Sequence, residues 1–258
     1  MMTRSWSLPR RSLPSRSLSS RSLPSRSLSI RSLPGGSLLL TATVLLLSLP
    51  AVPAAAASAR PEPPCTAGTA PYQRQLEREL RRPVDGVQSP QDCVAIRKLQ
   101  HRLGVSPADG RASLRTYRTV VADKARRDPA ARLGCPSRAY RVVCVDLTRQ
   151  ILWVQVGRRL VFAPVPVRSG RDGLETRRGW HRIYWKHRNH FSTIYDVPMP
   201  YAQFFNGGQA LHGTRHDLFS SGSGGCVNLT VADAKRLYGL LRKGDRIYVW
   251  GTKPGTGG

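Results

Sequence analysis

Hydrophobic and polar positions along the chain change their spacing near residue 140. Before that point apolar residues recur at steps of three and four, the spacing of one helix face. Ser89, with Pro90 and Asp92 behind it, marks the start of one such helix, and Gly104 marks its end. The pattern predicts helices over residues 72–82, 89–104 and 113 to about 124.

Beyond residue 140 the spacing becomes that of strands. A single helix interrupts them, with Thr230 placed to cap it and Asp233 three residues later. Runs rich in β-branched residues, separated by short turns, predict strands over residues 140–147, 151–156, 160–167, 180–185 and 246–250. The sequence therefore predicts a mainly β domain with one short helix, preceded by a small three-helix domain.

The first 59 residues differ from the rest in composition. Residues 11–34 repeat an Arg-Ser-Leu-Pro-like unit, and an apolar run and a run of small residues follow. A basic segment, a short apolar run and an Ala-x-Ala exit describe a secretory signal peptide. We therefore expect export to the cell wall and cleavage near Ala57 or Ala59. An uncleaved anchor is the alternative, although the apolar run is short for a bilayer span and Pro50 interrupts it.

The formal net charge of +26 at pH 7 suits either a nucleic acid or an anionic cell envelope as partner. The sequence has no Lys/Arg stripe with interleaved aromatic residues and no nucleic-acid-binding motif, so we expect no nucleic-acid partner. Peptidoglycan stems carry carboxylates and wall polymers carry phosphates. The charge therefore favours residence in a cell wall.

The five cysteines fit an exported protein, in which an even number pair and an odd one stays free. Cys135 and Cys144 flank a short segment that they could close, and Cys65 and Cys93 could join the N-terminal tail to a helix. Cys226 would then be the free thiol, but spacing alone leaves the connectivity open. No C-x-x-C or H-E-x-x-H spacing predicts a metal site, and we expect no cofactor.

One stretch combines the groups that nucleophilic catalysis needs. His212 precedes Cys226 by fourteen positions, and Gly224 and Gly225 lie directly before the cysteine. An imidazole can accept the proton of a thiol, and glycines let the backbone turn so that its amides face a substrate carbonyl. A buried structural cysteine beside an unrelated histidine is the plainer interpretation of such a pair.

The surrounding residues resemble the L,D-transpeptidase catalytic domain (YkuD-like) family. Its signature is a His-Gly or His-Ser pair, a spacer, then Ser-His-Gly-Cys, an aliphatic residue and Arg or Asn. Gly224 stands where the family usually has a second histidine, which leaves the nucleophile and its base in place. The matching residues are His212, Gly213, Ser223, Gly225, Cys226, Val227 and Asn228. The resemblance covers about residues 140–251 and implies a β-sandwich.

The resemblance also implies acyl transfer in two steps. Cys226 would attack the carbonyl that links the L-centre to the D-centre of a peptidoglycan tetrapeptide stem, and D-alanine would leave. An amine from a second stem, or from a lipoprotein, would then resolve the thioester. His212 would be the general acid and base, oriented by the main-chain carbonyl of Gly213. We expect a monomer whose partners are stem peptides.

The other loop residues receive roles from the same resemblance. The amides of Gly225 and Cys226 would form the oxyanion hole, with Gly224 a further candidate. Asn228 would brace the loop or contact a stem carboxylate. Ser223 would support the imidazole or the loop, or would serve only as a small turn residue.

Residues 72–126 resemble the small three-helix peptidoglycan-binding domain, through Asp-Gly-Val at 85–87 and the run at 94–100. A helical spacer with no affinity for the sugar is the alternative. The expected organisation is a signal peptide over residues 1–59, a linker over 60–71, the helical domain over 72–126 and the catalytic domain over 138–251.

Two other functions remain open at this point. A sortase is also an exported cysteine transpeptidase, but it would need a Thr-Leu-x-Thr-Cys strand, which does not surround Cys226. A wall-binding protein with a decayed site is the second, with Gly224 as its first sign. Residues 193–209 resemble the lid of the substrate groove, although their aromatic side chains could equally be core.

Overall fold

The computed structural model describes residues 64–256. The expected signal peptide and its cleavage site lie outside the described residues. The helices of this part are α1 Gln73–Leu80, α2 Pro90–Leu103, α3 Leu114–Arg127 and α4 Val231–Leu240, with a short 3-10 helix at Pro129–Arg132. Within residues 64–256, no helix has the length and apolar character needed to span a bilayer.

The strands of the same region are β1 Arg141–Asp146, β2 Ile151–Val156, β3 Arg159–Pro166, β4 Gly179–Arg182, β5 Trp185–Ser192, β6 Val197–Asn206, β7 Gln209–Thr214, β8 Val227–Thr230 and β9 Arg246–Trp250. They form a five-stranded sheet in the order β3-β2-β1-β9-β4 and a four-stranded sheet in the order β5-β6-β7-β8. The β1–β9 and β7–β8 pairs are parallel. The mainly β fold class is thus confirmed.

The three N-terminal helices form where the sequence indicates. Ser89 accepts a hydrogen bond from the Asp92 amide, and the Asp92 side chain accepts one from the Ser89 amide. This capping box satisfies two amides that the start of α2 would otherwise leave unpaired. Gly104 ends α2 in the left-handed conformation, which glycine adopts without strain. The apolar faces of the helices share a small core of Ala70, Leu76, Ile96, Leu99, Ala112 and Val120.

The central strands β1 and β2 of the five-stranded sheet are buried on both faces. Side chains alternate along a strand, so Val143 and Val145 of β1 enter the main core between the two sheets. Val142 and Cys144 enter a second core on the other face, which includes residues of α3. This double burial explains why β1 and β2 are almost continuously apolar and easy to find in the sequence.

The prediction of one strand over residues 180–185 is wrong. The run divides between β4 of the first sheet and β5 of the second, and Ile183 and Tyr184 connect them. The sequence also missed most of the second sheet. Strand β5 leaves most of its side chains exposed or half-buried, so it lacks the apolar alternation that identifies a strand.

Two disulfide bonds hold the described residues together. Cys65–Cys93 joins the segment before α1 to α2, and Cys135–Cys144 joins the segment after the 3-10 helix to β1. Both pairings that the cysteine positions suggested are therefore confirmed. Cys226 remains a free, buried thiol.

Candidate active site

His212 and Cys226 lie next to each other on one face of the four-stranded sheet. His212 of β7 is paired with Asn228 of β8, and Cys226 directly precedes β8. Leu211 and Val227 alternate with them and face the main core. The histidine and the cysteine therefore face the opposite side of the sheet. His212 is paired with Asn228 in the parallel register, so Cys226, two residues earlier on the same face, is the diagonal neighbour of His212.

The thiol of Cys226 lies in an apolar environment. Its Sγ atom is 3.8 Å from the carbonyl oxygen of Gly208. Burial raises the pKa of the thiol, and a hydrogen bond from the Ala210 backbone opposes this only in part. Cys226 is therefore protonated at neutral pH. The apolar neighbours on this face are Met199, Ala202, Phe204 and Ala210.

Both ring nitrogens of His212 are engaged. Nδ1 lies 2.7 Å from the Gly213 carbonyl oxygen, the contact that the sequence predicts, and Nε2 lies 2.7 Å from Nδ2 of Asn228. Arg168 donates to Oδ1 of Asn228 from Nε at 3.0 Å and from Nη2 at 2.8 Å. Because a guanidinium only donates, Arg168 fixes the amide with its NH₂ group toward the ring. Nε2 is therefore the acceptor and Nδ1 carries the proton.

The surroundings of His212 keep its ring neutral. The residue is 5% exposed, and burial is the main reason that its pKa falls to about 4. The hydrogen bond to Gly213 raises the pKa, whereas Arg168 and His190 lower it further. No hydrogen bond among the described residues joins the ring to the Cys226 thiol. The resting site thus holds a neutral imidazole and a neutral thiol that are not hydrogen-bonded to each other.

The loop before Cys226 is held by its own hydrogen bonds. The Ser223 hydroxyl donates to the Cys226 carbonyl oxygen at 2.6 Å and accepts from the Gly225 amide at 3.1 Å. Thr176 donates to the Gly225 carbonyl oxygen at 2.9 Å. Ser223 therefore supports the loop and not the imidazole. The Gly225 amide, one of the two expected oxyanion donors, donates to Ser223 in this resting loop.

Gly224 lies under an aromatic side chain. A Cβ atom built on Gly224 would be 2.6 Å from Cζ and 2.7 Å from the hydroxyl of Tyr195. Tyr195 lies in the turn between β5 and β6, within the segment expected to form a lid. Its ring occupies the space into which a side chain at residue 224 would extend. Among the described residues, no acceptor binds the Gly224 amide.

The lid segment combines packing and exposed residues. Met199 and Phe204 are buried beside Cys226, and Tyr201 packs against the main core. Tyr195, by contrast, lies over Gly224 in the loop of residues 221–226 that leads to Cys226, called the nucleophile loop below. The sequence left open whether the aromatic residues of this segment belong to the core or to the substrate groove. Phe204 and Tyr201 pack into the core, whereas Tyr195 lies over the loop.

The sequence did not indicate Arg168 or Thr176, since an arginine or a threonine between strands is common and neither forms a motif with Cys226. Each was placed at the site by tertiary folding. His216, which the motif does not include, is exposed in the β7–β8 loop. Within residues 64–256, no group of three His, Cys, Asp or Glu side chains is arranged to hold a metal ion.

Comparison with known proteins gives one family. The family model of the L,D-transpeptidase catalytic domain (YkuD) matches residues 140–249. The chain is 38% identical to an L,D-transpeptidase (Yku) from Stackebrandtia nassauensis, with a TM-score of 0.57. The match covers 74% of this chain and 96% of that one. This likeness extends beyond residues 140–249 and so beyond the catalytic domain.

Two further solved structures are more distant. An L,D-transpeptidase from Xylanimonas cellulosilytica is 23% identical, with a TM-score of 0.42, over 74% of this chain and 99% of that one. An L,D-transpeptidase from Mycobacterium smegmatis is 21% identical, with a TM-score of 0.40, over 43% of this chain and 58% of that one. No curated protein matches the chain.

Proposed function

This chain belongs to the L,D-transpeptidase catalytic-domain (YkuD) family, and on that premise we propose that it is an exported enzyme that joins peptidoglycan stems through a thioester on Cys226. Enzymes of this family act on peptidoglycan stem peptides. The proposal adds the nucleophile, the base, the covalent intermediate and the compartment.

The first step forms the thioester. Cys226 gives its proton to Nε2 of His212 as the sulfur attacks the stem carbonyl, so no free thiolate accumulates in the buried site. Nε2 must first release the amide of Asn228, because its one lone pair cannot accept from both groups. The C–N bond then breaks, and the imidazolium returns its proton to the departing D-alanine amine.

The second step transfers the acyl group to an amine. Nε2 takes a proton from the entering amine of a second stem as the nitrogen attacks the thioester. The C–S bond breaks, and the proton returns to the Cys226 sulfur. Gly213 accepts from Nδ1 in both steps and so keeps the ring oriented when it is protonated.

The oxyanion of each step needs amide donors. The Gly225 amide donates to Ser223 within the loop. We therefore assign this role to the amides of Gly224 and Cys226, of which the Gly224 amide has no acceptor among the described residues. Donors that are already fixed before the reaction stabilise the developing charge without reorganisation.

One observation carries the proposal. His212 and Cys226 are diagonal neighbours on the same sheet face, and Gly213 and Asn228 hold the ring in the tautomer whose lone pair can accept the thiol proton. A buried structural cysteine beside an unrelated histidine would not require this fixed tautomer.

The test is to incubate the protein with disaccharide-tetrapeptides and to identify the products by mass spectrometry. Wild-type protein should release D-alanine and form dimers, and Cys226→Ala should form none while keeping its far-ultraviolet circular dichroism spectrum. Ser221→Ala, at an exposed position before the cysteine, is the matched control, because it keeps the backbone carbonyl and removes only a hydroxyl that makes no hydrogen bond among the described residues. Turnover by the folded Cys226→Ala variant would contradict the assignment of the nucleophile.

Membership of this family excludes the sortase alternative. A wall-binding protein with a decayed site remains the second candidate, because Nε2 of His212 contacts Asn228 and not the thiol in the resting structure. Labelling by a carbapenem distinguishes the two. A covalent adduct on Cys226 supports the enzyme, and a protein that binds peptidoglycan without forming the adduct supports the second candidate.

A further inference from the structure

Lys253 is a buried cation outside the catalytic motif. It lies beyond β9 in the C-terminal segment, and only 7% of the residue is exposed. Its ammonium group donates to the carbonyl oxygens of Ser221 at 2.6 Å, Gly170 at 3.3 Å and Ser169 at 3.4 Å. An ammonium has three protons, so these carbonyls satisfy it.

The charge of Lys253 has no acidic partner within 4.0 Å in the described part of the chain. Burial, together with the nearby cations Arg118 and Arg168, lowers its pKa to about 8. A lysine side chain ordinarily extends into water, where its charge stays solvated. The buried position therefore requires that the three carbonyl contacts compensate for lost solvation.

These carbonyls belong to the two segments that define the nucleophile loop. The Ser223 amide donates to the Ser169 carbonyl at 3.0 Å, and the Arg171 amide donates to the Ser223 carbonyl at 2.9 Å. Farther along, Arg168 and Asn228 exchange backbone hydrogen bonds at 3.1 and 2.8 Å. Residues 168–171 thus hold both ends of the loop that carries the cysteine.

The chain also passes close to the ammonium at Gly222. A Cβ atom there would lie 2.5 Å from Nζ of Lys253 and 2.9 Å from Cα of Arg171. Gly222, which lies between Ser221 and Ser223, is thus closely packed against Lys253. The geometry leaves little room for the start of the loop to move while Lys253 is in place.

We propose that Lys253 is a positioning residue for Cys226, whose ammonium group holds Ser221 against Ser169 and Gly170 and so fixes the start of the nucleophile loop. The inference rests on the function proposed above for Cys226. Lys253 touches no reacting atom in this role, and it acts through the backbone of the loop.

The test compares Lys253→Met with Lys243→Met, the same change at an exposed turn position. Methionine has an unbranched side chain of similar length but lacks the N–H donors of the ammonium group. The first readout is the rate at which iodoacetamide alkylates Cys226 in folded, non-reduced protein. The second is the acylation of Cys226 by a carbapenem, resolved into a first-order rate constant and a half-saturating concentration. Thermal unfolding gives the folded fraction at the assay temperature.

Lys253→Met should be alkylated several-fold faster than wild type, because a looser loop exposes the thiol. Its acylation rate constant should fall by roughly tenfold to a hundredfold, the effect of a misplaced reacting group, with a smaller change in the half-saturating concentration. Lys243→Met should match wild type in both. A lower melting temperature with wild-type rates in the folded protein would overturn the proposal, since the role would then be stability alone.

If Lys253→Met does not fold, Lys253→Gln replaces it, because its uncharged amide has two protons and cannot donate to all three carbonyls. A wild-type alkylation rate in folded Lys253→Gln would overturn the proposal. A wild-type protein that forms no carbapenem adduct would contradict the function proposed for Cys226. The alkylation rates would still decide the role of Lys253 in that case.

Discussion

The side-chain amide of Asn228 lies 2.7 Å from Nε2 of His212 and donates to it. If the ring were protonated, its Nε2–H group would face the NH₂ group of Asn228, and two donors would oppose each other. Turning the amide round would not help, because its NH₂ group would then face Arg168, which now donates to Oδ1. The pair therefore disfavours the imidazolium, in the same direction as burial does.

Replacing Asn228 with aspartate should reverse this preference. A carboxylate can accept from Arg168 and from a protonated ring together, so the pKa of His212 should rise. The acidic limb of the pH–rate profile for carbapenem acylation should then move to higher pH. Stopped-flow acylation between pH 4 and 9 measures the position of this limb. Gln91→Glu, at an exposed position of α2, is the control. An unchanged acidic limb would show that Asn228 does not influence the base.

Acidification should destabilise the protein through His212. Its pKa is about 4 when folded and 6.5 ordinarily, so the unfolded chain binds the proton more readily in this window. Stability is therefore lost as the pH falls from 6.5 toward 4, by on the order of 3 kcal/mol for this group. Urea unfolding at pH 7 and pH 4 should show that His212→Gln loses less stability than wild type. Equal losses would contradict the lowered pKa.

Thiol titration should find one reactive cysteine. The two disulfides leave Cys226 free, and its burial and raised pKa should make it slow to react until the chain unfolds. Titration with a chromogenic disulfide reagent, without reductant, in native buffer and in guanidinium measures both states. Three or more thiols in guanidinium would mean that one pairing does not form.

Restoring the family's histidine at residue 224 should impair this enzyme. The new side chain would collide with Tyr195, which lies 2.6 Å from the Cβ position, and would push the tyrosine or the loop away. We expect Gly224→His to lower the acylation rate by about tenfold, on the order of 1.4 kcal/mol in the barrier. Adding Tyr195→Ala should recover much of the loss.

The matched control is Gly239→Ala, because a Cβ atom at Gly239 meets nothing within 4 Å. The rate of this variant should equal that of wild type. A Gly224→His protein faster than wild type would show instead that the natural enzyme lacks a catalytic imidazole, and that Tyr195 does not fill its place.

Several helices and strands could be predicted from residues close together in the sequence. Ser89 and Asp92 form their capping box from residues three apart, and the Thr230 hydroxyl accepts from the Asp233 amide at the start of α4. Strands β1 and β2 were visible because burial on both faces leaves a continuous apolar run. Strand β5 was not, because most of its side chains are exposed or half-buried and its pairing with β6 depends on long-range contacts.

The sequence by itself determined the nucleophile and base candidates, Cys226 and His212, since residue type, spacing and flanking glycines suffice to suggest that chemistry. Only the tertiary structure decided what holds them. Arg168 fixes the tautomer of the ring through Asn228, sixty positions later, and Lys253 reaches back to Ser221. The physical reason is that hydrogen bonds and burial depend on distance in space, whereas a motif records only distance along the chain.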